Sequence, residues 1–375
     1  IKISIMLKKY QIYIATTFIK NLFLISLIFL GLSFILNFFE ELKFFENYDV
    51  GIKYPILLTF LNSPSILFEL FPFIFLIAVK FFYIHLNERN EIEIFKNHGI
   101  DNLKVLSLLS FSTLICGAFI LLIFYTVSSN LKNHYLNLKN KFSSQNEYLA
   151  VVNENGLWIK EEIDGFSNII HARKFNKNNI EDITITQTDA VTENINIITA
   201  KNADISSKTW SLNKVKIVDK LSSNKNYENL RYKSSFDGEI ISNLFSNLNS
   251  LNIYQLNLLL SNYSKIGYST TDVNVHLNKL YSLPVFYLLM TILGLLIMMK
   301  FTFIKTKFFT IIVGVSVSVF VYYINYFASL FGSNETIPIV LSIWLPHLIL
   351  FLICLLGGVK TVSYTHLTLP TRYRV

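Results

Sequence analysis

The chain has 375 residues, 52% of them hydrophobic and only 15% charged, with a formal net charge of +8. This composition excludes intrinsic disorder, which needs low hydrophobicity and high charge, and an ordinary soluble enzyme, whose charged share is about 25%. Residues 131–278 hold 16 Lys and Arg against 15 Asp and Glu, and the remainder holds 17 against 10, so the basic excess lies outside the polar middle and a nucleic-acid partner is not expected.

In chain order, Lys8 and Lys9 precede the first of six apolar runs. A membrane-spanning helix takes about 20 such residues. The runs cover about 12–39, 66–86, 103–127, 282–300, 308–330 and 338–359. Arg89, Lys96 and Lys104 sit between the second and third. Lys300, Lys305 and Lys307 sit between the fourth and fifth, and Lys360 follows the sixth. The opposite loops carry only Lys43 and Lys53. Basic loops stay in the cytoplasm, which puts both termini there and the large insert outside. The first run is too long for a cleavable leader. Ile1–Ile5 precede a sensible start at Met6, and the tail 361–375 departs in style from the rest; both are set aside as non-native.

The insert, 131–278, reads mostly as strands: Glu147–Val152, Gly156–Lys160, Ser167–Arg173, Asp182–Gln187, Ile195–Ala200 and Thr209–Val218. Short β-branched runs punctuated by Asn, Asp, Gly and Ser point to a sandwich, jelly roll or open barrel. Ile240–Leu248 and Ile253–Tyr263 have helical period, and Ser269–Lys279 leads into the fourth span. The plan is residues 6–130 for three spans, 131–278 for the β domain and 279–360 for three more.

Catalytic signatures are missing from the sequence. It has no phosphate-cradling Gly-rich loop with its Lys, no His-Glu-x-x-His, no Cys-x-x-Cys and no Gly-x-Ser-x-Gly. Cys116 and Cys354 both lie in apolar runs. No catalytic residue, cofactor or metal is expected, so work done across a membrane would draw on a partner. The segment Asn87–Asp101 offers that partner a site. It is a short amphipathic helix ended by Gly99, with Ile92 and Phe95 on one face and Glu88 and Glu91 beside them. A helix lying flat on the membrane is the competing reading. Lys80, inside the second span, is either a functional ionisable group or a side chain that snorkels to the interface. Trp158 and Trp210 fall in predicted strands, where they pack in the core or line a groove.

Several short motifs taken in order resemble the LptF/LptG family of lipopolysaccharide export permeases. They are Leu7–Tyr10 and Phe38–Leu42 around the first span, Pro64 and Pro72 in the second, and Arg89, Glu91 and Gly99 between spans. In the insert they are Gly156–Lys160 and Thr209–Val215, of the LptG branch; then come Lys279 with Pro284, Pro338, and Trp344–Pro346. The resemblance covers about 6–360. It implies a membrane α-helical fold with six transmembrane helices and an inserted periplasmic β-jelly-roll domain. It implies an LptF-like paralogous partner, a cytoplasmic LptB-like ATPase, LptC-like and periplasmic bridge proteins, and lipopolysaccharide as cargo. By resemblance Arg89, Glu91, Phe95 and Gly99 form the ATPase-coupling helix. Family members carry a basic residue near the outer end of the first span; here that position is Asn37, with Lys43 or Lys53 as substitutes for contacting the lipid head group. The rival readings are a mechanotransmitting transporter subunit that moves no lipid, disfavoured by six spans, and a membrane-anchored sensor.

Overall fold

A computed structural model describes residues 9–142, 157–163, 166–176, 178–189, 195–219, 225–238, 241, 247–266, 269–300 and 307–367. They fall in two compact units, one within Ile1–Lys132 and Asn274–Val375, the other within Asn133–Val273.

In the first unit, six helices are long and apolar enough to cross a membrane. They are α1 (Lys9–Phe44), α2 (Lys53–Glu88), α4 (Asn102–Lys139), α6 (Thr271–Lys300), α7 (Lys307–Ser333) and α8 (Ile339–Leu367), with a short α3 (Glu91–Asn97) between α2 and α4. Helix α4 contains a π-helical turn at Ile120–Phe124. Helix α2 is the hub, with two thirds of its most apolar stretch buried by protein. By contrast α1 buries one stripe, Ile14, Phe18, Leu22 and Ile25, and leaves Phe23, Leu24, Leu27 and Ile28 exposed. An all-round apolar helix with one protein-facing stripe turns the rest to lipid.

Helix α2 starts 13 residues before the predicted span. Thr59, Asn62, Ser63 and Pro64 suggest a loop, yet the hydroxyls of Thr59 and Ser63 donate to the carbonyls of Pro55 and Thr59, at 2.8 and 2.6 Å. Polar groups satisfied against the helix's own backbone can be buried. Helices approach closely at two glycines. A Cβ at Gly294 would lie 2.6 Å from Val79 Cγ1 and 2.9 Å from the Leu76 carbonyl oxygen. At Gly314 it would collide with the amino end of Lys80. Lys80 is fully buried and donates to the Thr310 carbonyl of α7, so it does not snorkel.

The second unit holds one antiparallel sheet, β1 (Leu157–Ile163), β2 (Phe166–Asn176), β3 (Asn179–Asp189), β4 (Ile195–Asp204), β5 (Thr209–Asp219) and β6 (Lys225–Lys233), with the strands side by side in chain order. This is a meander. The crossover that defines a jelly roll is absent among the described strands, and β6 goes beyond the predicted set. The expected strand Glu147–Val152 lies outside the described residues, as does most of the expected helix Ile240–Leu248. Helix α5 (Ile253–Ile266) opens on a reciprocal cap: Asn252 N–H donates to Gln255 Oε1 and Gln255 N–H to Asn252 Oδ1, both at 2.9 Å.

One sheet face carries Leu157, Ile159, Ile170, Ile185, Ile198, Trp210 and Leu212, all buried. Strict alternation breaks along a single row. Arg173–Lys174, Glu181–Asp182, Lys201–Asn202 and Asn213–Lys214 are consecutive residues turned outward, between buried or half-buried neighbours on each side. The ladder skips Arg173 opposite Asp182, Asp182 opposite Lys201, and Lys201 opposite Lys214. Asp182 and Lys214 adopt φ of 51° and 53°. Such irregularities kink strands; here they line up into a crease. Along it, on the outer face, Arg173 pairs with Asp182 at 3.3 Å and Lys174 with Glu181 at 3.4 Å.

Candidate functional site

The segment joining α2 to α4 builds the most specific polar arrangement of the membrane unit. Asn90 turns the chain out of α2 in the left-handed conformation, φ 56°, which Asn tolerates. Helix α3 follows for seven residues and stops where predicted. Gly99 has φ 73°, and the Ile100 N–H donates to the Phe95 carbonyl at 2.9 Å. That is a glycine-centred C-terminal cap. Lys104 Nζ donates to the Gly99 carbonyl at 2.6 Å and fastens the cap to α4.

The two faces of α3 differ. Ile92 and Phe95 turn toward Tyr83 and Leu86 of α2, Val105 of α4 and Met299 of α6, around a narrow crevice. Glu93, Ile94, Lys96 and His98 are exposed, Ile94 by 50%. Tyr10, Ile94, Phe95, His98, Gly99, Ile100 and Lys104 line an open cavity of about 440 Å³. Glu91 is turned inward. Both its oxygens accept from the Tyr13 hydroxyl, at 2.9 and 2.7 Å, and Arg89 Nη1 stands 4.0 Å away. The carboxylate side chain is 19% exposed and that of Arg89 61%. Of the four predicted coupling residues, Arg89 and Gly99 are therefore exposed, while Glu91 and Phe95 engage the membrane helices. The sequence pairs Glu91 with Glu88 at helical spacing, and it leaves out Tyr13, which lies 78 residues away in the chain.

A second polar cluster occupies the opposite half of α1. Ser33, Asn37 and Glu41 are buried at intervals of four. Asn62 Nδ2 of α2 donates to Asn37 Oδ1 at 2.9 Å, and Lys132 Nζ of α4 donates to Asn62 Oδ1 at 2.6 Å. Asn37 thus faces α2 and is buried in the contact between α1 and α2. Lys43 and Lys53 are exposed. Asn62 and Lys132 were not candidates, because each stood outside a predicted span.

In the sheet the two tryptophans part company. Trp210 is fully buried, and its Nε1 donates to the Phe236 carbonyl at 2.8 Å. Trp158 is 53% exposed on the other face and packs at a tilt against His171, ring centroids 4.3 Å apart, so the core reading fails for it. The buried carboxylate of Glu161 on β1 accepts from Tyr232 Oη at 2.9 Å, Ser234 Oγ at 2.9 Å and Ser235 N–H at 3.0 Å. It ties the first edge strand to the last. Burial and the Glu161 charge push the Tyr232 phenol well above its ordinary pKa.

These features define an integral membrane protein with six candidate spans, a short helix packed between the second and third, and a β domain inserted after the third. The family described as lipopolysaccharide export system permease LptF/LptG matches residues 12–358, and the chain belongs to that family. The match does not separate LptF from LptG. No curated protein matches the chain.

Proposed function

We propose that the chain is one of two permease subunits of a lipopolysaccharide exporter in the bacterial inner membrane. A separate cytoplasmic ATPase drives it. The pair extracts lipopolysaccharide from the bilayer and passes it to a periplasmic β-jelly-roll bridge; an LptF- or LptG-like paralogue and LptC-like proteins complete the complex. The family supports the transport of lipopolysaccharide, and the count of basic loops supports the orientation.

One observation carries the coupling. Helix α3 is bonded or packed to α1, α2, α4 and α6 on one face, while Arg89, Glu93, Ile94 and Lys96 face outward. A partner pressing on the outer face would move four helices together. Lys43 and Lys53 are the cations for the lipid head groups; exposed α1 residues such as Leu24 and Leu27 are the first-span wall against the acyl chains. Trp210 braces the β domain's core, and Trp158 lies on its outer face.

The test is photocrosslinking in cells. Probes at Ile94 and Glu93 should trap the ATPase, and a probe at Ile92 should not. Probes at Leu24, Leu27 and Lys43 should trap lipopolysaccharide. A normally assembled complex that traps lipopolysaccharide at none of these positions would overturn the transport reading.

A further inference from the structure

We infer that Tyr13 is a positioning residue for export: it transmits movement of α3 to the first span through its paired hydrogen bond to Glu91. The inference rests on the proposed coupling of α3 to an ATPase and concerns what happens after docking.

The first span packs chiefly along α2, through the stripe Ile14, Phe18, Leu22 and Ile25, and leaves Phe23, Leu24, Leu27 and Ile28 exposed. Near its beginning it meets α3 through Tyr13, whose hydroxyl donates to Glu91 at 2.9 and 2.7 Å. Hydrogen bonds to a carboxylate are roughly twice as strong as neutral ones, and a phenol ring has few rotamers through which to absorb a displacement. Arg89 does not rival Tyr13 for the carboxylate: its guanidinium is 4.0 Å away and largely in solvent, where ion pairs contribute little. Glu91 is therefore engaged with the first span inside the chain. Ile92 and Phe95 carry load from α3 to α2, α4 and α6; Glu91 and Tyr13 carry it to α1.

The geometry amplifies the movement. Tyr13 and Asn37 are about 24 residues apart, about 36 Å along a helix, so a tilt of about 5° at Tyr13 displaces the other end by about 3 Å. That end is held by Asn37 bonded to Asn62. A displacement of that size would part the Asn37–Asn62 bond, so the far end of the first span moves only when this contact opens.

The experiment uses the complete exporter reconstituted in vesicles. ATP hydrolysis and lipopolysaccharide release are measured separately, and a spin label at Leu24 reports movement of α1. Tyr13→Phe removes one oxygen and keeps the ring. Assembly and ATP hydrolysis should stay within about twofold, lipopolysaccharide release should fall at least tenfold, and the ATP-dependent change at Leu24 should vanish. Glu91→Gln keeps an acceptor and should retain most of the release, whereas Glu91→Ala should match Tyr13→Phe. The double variant Tyr13→Phe, Glu91→Ala should be no worse than either alone. Wild-type release by Tyr13→Phe, or additive losses in the double variant, would overturn the inference. Ile94→Asp separates the two readings: if it leaves the ATPase bound and release intact, the docking reading fails, whatever Tyr13 does.

Discussion

Replacing Glu161 by Ala removes the acceptor that joins the two edge strands of the sheet. Three donors lose their partner: Tyr232 Oη, Ser234 Oγ and the Ser235 N–H. The two side chains are 7% and 3% exposed and cannot turn to water, whereas Ser235 is exposed and can. Each buried orphan costs about 1–3 kcal/mol. Deleting the carboxylate returns part of its own desolvation cost. The expected loss is about 3 kcal/mol, or about a hundredfold in the opening equilibrium. Gln at the same position keeps one acceptor oxygen and should lose about half as much; Tyr232→Phe removes one donor and should cost about 1 kcal/mol. Hydrogen–deuterium exchange on the full chain reads this out strand by strand. Protection should fall about a hundredfold in peptides covering Leu157–Ile163 and Lys225–Lys233. Unchanged protection of both strands in Glu161→Ala would refute the bridge between the edges.

The same accounting gives three further expectations. Trp210→Ala should destabilise the β unit by about 3–5 kcal/mol, since it empties a fully buried site, while Trp158→Ala on the exposed face should cost under about 1 kcal/mol; thermal unfolding of the two variants should separate clearly. Gly294→Leu should lower the unfolding temperature in detergent, because the Leu76 carbonyl 2.9 Å from the new Cβ is backbone and cannot swing away; Gly294→Ala should do so mildly, by about 1–3 kcal/mol. Lys80→Met fills similar space without the charge and should be neutral or stabilising, whereas Lys80→Ala leaves a void beside Gly314 and should cost about 2–4 kcal/mol; equal losses from both would show that the bond to the Thr310 carbonyl itself holds α7.

Much of this architecture was legible because bilayer physics writes itself into composition. Twenty-residue apolar runs and their basic flanks marked six helices, and the αL requirement at Gly99 marked the end of α3. What escaped lay where polar residues are satisfied by partners distant in sequence. The early turns of α2 read as a loop because the hydroxyls of Thr59 and Ser63 bond to their own helix, a local solution that composition does not advertise. Strand β6 escaped because its first five residues are all exposed, and alternation begins only in its last four, where Tyr232 is buried. The inward turn of Glu91 could not be read from helical spacing, since its partner sits on another helix. Asn37 seemed a neutral replacement for a cation, yet it serves the contact between α1 and α2.

The crease in the β sheet has a bearing on which sequence changes the domain can accept. Because β2 to β5 each carry their doubled outward pair at the same row, register is conserved across it. Deleting one residue from a single strand at this row would leave that strand's own alternation sound but shift half of it by one position against both neighbours, and a one-residue slip trades core for solvent. A length change in one strand at this row should therefore destabilise the sheet unless its neighbours change with it. The crease thus acts as a rule of length that joins separate strands, independent of which side chains occupy it.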